Sequence, residues 1–247
     1  MNRLHGKRNL TKRYVEDASG GCYAKPFGAA GITGEAIGTN VTGTMASSLP
    51  SIVGGRPACS LILDSTDSAA YQAQWPCAIP FQNTNDTFVW RFAIRFVGNA
   101  ITNVGCFIGL ANTDATIHSD TIGSITDDSI GIHKTLAGTS FTMVAIEDNG
   151  TEQTATLSGL TLAVDKWYDV EMRVKKTGTN TGELTVTVGT GTEFGESFQS
   201  PVSGTMTITS QFVDTGQLLR PSFAMLADTT NAVTVAFNHE HFYAGKV

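Results

Sequence analysis

Residues 88–97 read Phe-Val-Trp-Arg-Phe-Ala-Ile-Arg-Phe-Val. Phe88, Trp90, Phe92, Ile94 and Phe96 fall on one side at a period of two, and Arg91 and Arg95 on the other. No helix can sort these residues by face. An extended strand with one buried side does so at once. The pattern returns at 167–175, where Tyr168, Val170, Met172 and Val174 alternate with Asp169, Glu171, Arg173 and Lys175. After the turn KTGTNTG, Leu184, Val186 and Val188 alternate with Glu183, Thr185 and Thr187, which predicts a hairpin with one wet face. VGCFIGLA (104–111) is apolar on both faces and predicts a strand covered on both sides.

SIGIHK (129–134), FTMVAI (141–146), SFAMLA (222–227), VTVAF (233–237) and HFY (241–243) add further short strand signals, separated by turn residues such as Asn149-Gly150 and Asp228–Asn231. Outside the N-terminal arm no window shows a helical period. Roughly ten or more short strands with frequent turns predict an all-β antiparallel sandwich of the jelly-roll kind over 59–247. No fixed repeat points to a propeller or solenoid.

Residues 1–58 read differently. The stretch 20–58 is rich in Gly, Ala, Thr and Ser and predicts an extended, loop-rich segment anchored by contacts. Ahead of it, Arg3, Lys7, Arg8, Lys12 and Arg13 precede the first acid, Glu16. The chain carries 16 basic and 22 acidic residues, a net charge of −6, so the remainder after the +5 arm is at −11. A basic arm on an acidic body reads either as a tail that docks on an acidic surface or as a solvated terminus. Leu10 and Tyr14 allow a short helix there. The body is too acidic for a duplex-binding surface, so no nucleic-acid partner is expected. No apolar run reaches the roughly 18 residues of a membrane helix, and no apolar segment follows the first basic residues, so neither membrane nor secretory signal is expected.

No residue pattern announces catalysis. GxSxG, Walker-type and HExxH motifs are absent. Asp169 and Glu171 share a strand face with Arg173 and Lys175, the pattern of a solvated sheet rather than of an acid/base pair. His239 and His241 stand two apart on a strand and could share a metal, though no third ligand is visible. The loop Asn112–Asp120 and the pair Asp127-Asp128 offer hard oxygens for Ca²⁺ without the EF-hand spacing. Neither is carried forward as a site, and no metal or cofactor is expected. Cys22, Cys59, Cys77 and Cys106 form no CxxC pair. Free thiols are expected for Cys59 and Cys106, and a Cys59–Cys77 bridge stays open. Trp90 and Trp167 read as core. Trp75, beside Pro76, is the candidate glycan or interface contact.

The run FVWRFAIRFV, FIGLANTDA, SIGIHK, WYDVEMRV and PSFAMLA with its following strand resembles the concanavalin A-like (laminin-G-like) jelly-roll domains of tailed-bacteriophage structural proteins. It spans roughly 85–245. The resemblance implies a non-enzymatic virion protein of the capsid decoration or cement type. Its partners would be the major capsid protein and further copies of itself, a trimer first, on the outer capsid surface. Residues Arg3, Lys7, Arg8, Lys12, Arg13 and Tyr14 would contact the shell. The alternative is a carbohydrate-binding module of a phage tail or receptor-binding protein. The E-x-D-x-E signature of family-16-like glycosidases is missing, and the metal cluster of legume-type lectins cannot be placed.

Overall fold

The computed structural model describes residues 41–42, 45–47, 51–53, 56–63, 70–74, 79–112, 128–147, 152–191, 200–209, 212, 218–227 and 232–246. These residues build two antiparallel sheets packed face to face. The first takes β1 (Val41–Thr42), β5 (Ala70–Gln74), β15 (Leu218–Ala227), β8 (Val104–Ala111), β9 (Ser129–Lys134), β10 (Thr142–Ile146) and β11 (Gln153–Thr156), in that spatial order. Strand β6 (Ile79–Pro80) joins the end of β15. The second runs β14 (Val202–Ile208), β13 (Gly182–Gly191), β12 (Trp167–Lys176), β7 (Asp86–Val97), β16 (Val233–Lys246), β4 (Arg56–Leu63) and β2 (Met45–Ser47). Strand β3 (Ser51–Val53) also pairs with β4. A single helical turn, α1 (Ala100–Asn103), links β7 to β8.

The all-β sandwich expected from the alternation is the fold observed. Residue 59 falls inside β4, and β1, β2 and β3 ahead of it are already paired into the two sheets. The core lies between the sheets. Phe88, Trp90, Phe92, Ile94 and Phe96 all point into it and are buried. Phe92 stacks on Phe237 at 5.5 Å, and Phe237 meets Phe223 of the opposite sheet at 5.0 Å. These aromatic contacts bridge the two layers and add to the area buried. Strands β12 and β13 form the expected hairpin, and β12 also pairs with β7. All eight residues of β8 are buried, as its two-sided apolar run requires.

Sheet order and register add two features. Strands β15 and β16 follow one another in the chain but lie in different sheets. Strand β16 carries a bulge between His239 and His241. His239 is in register with Phe92 and His241 with Arg91.

In the first sheet, Gly109 and Gly131 face each other across β8 and β9. A Cβ on Gly131 would come within 2.4 Å of the Ile108 carbonyl oxygen, and one on Gly109 within 2.9 Å of the Phe107 ring. The ring thus lies against backbone that only glycine leaves bare.

Candidate functional site

Register and alternation decide which side chains point away from the core. On the first sheet they include Gln74, Ser222, Ala224, Phe107, Ala111, Ser129, His133, Val144 and Ile146. A sheet face turned from the core is ordinarily wet. Here Phe107, Ala111, Val144, Ile146 and Ala224 form a separate apolar cluster, each at 1% exposure or less. Gln74, Ser129, His133 and Ser222 are buried beside them. The second sheet shows a smaller case: Ala93, Trp167 and Ala236 form a buried cluster on its outward face. Trp167 is therefore buried as expected, but on the opposite side from Trp90. It stands in register with Arg95 and shares the parity of Asp169 and Glu171.

The polar groups of the first face are tied to strand ends. Gln74 Nε2 donates to the Asn112 carbonyl oxygen at 2.7 Å and to Ser222 Oγ at 3.1 Å. Ser222 Oγ donates in turn to the Arg220 carbonyl oxygen at 2.8 Å. The Asn112 amide donates to the Asp128 carbonyl oxygen at 2.9 Å, closing β8 onto β9. The Ser129 hydroxyl is buried with no hydrogen-bond partner among the described residues. This chain of bonds joins residues up to 148 positions apart. It fixes the sheet end more than it presents groups for chemistry.

At the other end of β9, Lys134 points inward beside Cys106 and is fully buried. Its Nζ donates to the carbonyl oxygens of Val104 (2.6 Å), Thr135 (3.1 Å) and Leu136 (3.2 Å), and lies 5.2 Å from the Phe96 ring centre. Burial lowers its pKa to about 8, partly countered by the Cys106 thiol. Burial pushes the free thiol of Cys106 up to about 12. A thiol held in that state is no nucleophile near neutral pH. Tyr168 Oη accepts a hydrogen bond from the Ala163 amide at 2.6 Å, and burial raises its pKa.

The acids weighed in the sequence are placed plainly. Glu171 is paired with Arg91, with Oε2 at 2.6 Å from Nε and 2.5 Å from Nη2. Asp169 is in register with Ala93 on the same face. No group of three His, Cys, Asp or Glu able to hold a metal occurs among the described residues. Of the Ca²⁺ candidates, Asn112 and Asp128 meet through their backbones, and residues 113–127 lie outside the described residues. The same is true of Arg3, Lys7, Arg8, Lys12, Arg13, Tyr14 and Trp75. The aromatic side chains that are described are all buried. Sequence reasoning missed Gln74, Ser222 and Lys134. Only pairing between distant strands brings the first two together.

No family model matches the chain, and no curated protein matches it. Solved structures do share its fold. Peanut lectin is similar at a TM-score of 0.57 with 8% identity, over 96% of this chain and 98% of the lectin. Arcelin-5, a lectin-like defence protein from Phaseolus vulgaris, gives 0.56 with 9% identity, over 96% and 99%. The PL-14 alginate lyase from Aplysia kurodai gives 0.54 with 12% identity, over 82% and 87%. The fold is thus the concanavalin A-like jelly roll. It carries both lectins and lyases, so it leaves the activity to the site.

Proposed function

We propose that the chain is a non-enzymatic virion structural protein, one that decorates and stabilises a phage capsid through protein–protein contacts. What supports this reading is the resemblance of the strand motifs, together with outward sheet faces that are closed by apolar clusters within the chain rather than opened as a ligand groove, Phe107/Ala111/Val144/Ile146/Ala224 and Ala93/Trp167/Ala236. These two patches are closed within the chain, so neither is open to a small polar ligand. The shell as partner, and its major capsid protein in particular, comes from the resemblance of the strand motifs. Extra interface across capsomer junctions would stabilise the shell by mass action. The five positives of residues 1–13 would speed and orient docking on an acidic patch. The chain would be made in the host cytoplasm and end on the outer capsid surface, in more than one copy per contact.

Deleting residues 1–20 tests the arm. Particle occupancy should fall while the thermal transition of the sandwich stays in place. Unchanged occupancy would refute the arm's role.

The second reading is a carbohydrate-binding module. It draws on the shared fold of peanut lectin and of a Lotus tetragonolobus seed lectin at a TM-score of 0.55. It requires saturable glycan binding that quenches tryptophan fluorescence and is lost in Trp75→Ala. Under the leading reading neither occurs, and incubation with alginate yields no unsaturated product.

A further inference from the structure

The two sandwich edges away from the N-terminal strands are β11 and β14, the last strands of their sheets. They are clasped at one point. Gln153 Nε2 donates to the Thr207 carbonyl oxygen, and the Thr209 amide donates to Gln153 Oε1 at 3.0 Å. A side-chain amide here stands in for a strand. Both bonds run away from β13, so the odd-numbered residues of β14 aim their backbone groups outward. The side chains agree: Thr185–Thr205 and Thr187–Ser203 are cross-strand pairs with hydroxyls 3.2 and 3.0 Å apart, the close approach of a non-hydrogen-bonded pair.

The outward N–H and C=O groups of Ser203 and Thr205 therefore have no partner strand among the described residues, and both residues are exposed. Upstream, Pro201 has no N–H to offer. Natural edges are usually guarded by lysine or another charge. Residues 200–209 (SPVSGTMTIT) contain none.

We infer that the β14 edge is a self-association surface whose occupant is the β14 edge of a second copy of this chain. In an antiparallel pair with Ser203 opposite Thr205 of the other copy, the free groups of both residues are consumed in both copies, giving about four hydrogen bonds. The Gln153 clasp bounds this stretch at one end and Pro201 at the other. The contact is isologous, and an uncharged strand meets itself without like-charge repulsion. A charged partner would find nothing to pair with here. Such a contact generates a pair; a trimer would need a different surface. The inference concerns the free chain in solution and does not rest on the shell reading, which can fail while this stands.

The test is sedimentation velocity of the full chain over a wide concentration range, with Thr205→Lys and, as a control on an exposed residue of another strand, Leu218→Lys. The wild type and Leu218→Lys should shift from monomer to dimer with concentration. Thr205→Lys should weaken dimerisation by tenfold or more. Should that variant fold poorly, hydrogen exchange on the wild type decides: the Ser203 and Thr205 amides should slow as concentration rises. A wild type that stays monomeric, dimerisation untouched by Thr205→Lys, or exchange at 203 and 205 independent of concentration would each overturn the inference.

Discussion

At the residue scale the most consequential side chain is Lys134. An unfolded lysine holds its proton to about pH 10.5, while the buried one releases it near pH 8. Between these values the unfolded state binds more protons, so this residue's contribution to stability rises with pH. Below pH 8 the buried charge costs its full amount. Cys106 works the other way above pH 9, where only the unfolded thiol ionises readily. Comparing the wild type with Lys134→Met leaves the cysteine in both. The stability of the wild type relative to the variant should rise by about 3 kcal/mol from pH 8 to 10.5. Denaturant titrations at several pH values measure it, and a flat difference would contradict the buried charge. The glycine pair gives a second residue-scale expectation. Gly131→Ala sets a Cβ against the Ile108 carbonyl oxygen, where fixed backbone must shift. A loss of about 2 kcal/mol is expected in the same titrations.

At the scale of elements, β7 and β12 were legible because each face has its own chemistry, aromatic or aliphatic inward and charged outward. Trp167 shows the limit. Its parity in WYDVEMRV already puts it with Asp169 and Glu171, yet its size argues for the core. The structure follows the parity and buries the ring against Ala93 and Ala236. The bulge in β16 could not be read, because it exists only in the register against β7. Gln74 and Ser222 stand 148 residues apart, and only β5 pairing with β15 makes them neighbours. The Arg91–Glu171 pair ties β7 to β12 on an outward face, with the arginine 45% exposed. Solvent screens such a pair, so Glu171→Ala should cost less than about 1 kcal/mol in chemical denaturation. A much larger loss would mean that this face is covered in the native protein.

At the scale of the whole molecule, the sandwich was readable from alternation alone, while the functional residues were not. The candidate shell contacts, Arg3 to Tyr14, and Trp75 lie outside the described residues. What the described body contributes is a pair of covered apolar faces and one unguarded edge. The faces are closed within the chain itself, and the edge is the surface proposed to meet a second copy. Its fold is shared with lectins and with lyases, so partner chemistry must come from these surfaces and not from the architecture.

The most direct test is cryo-electron microscopy of intact particles from the source, with the chain identified by mass spectrometry and by its density. The account expects the sandwich on the outer capsid surface at capsomer junctions, with residues 1–20 following the shell. Density confined to a tail tip, or no copy of the chain in purified particles, would contradict it.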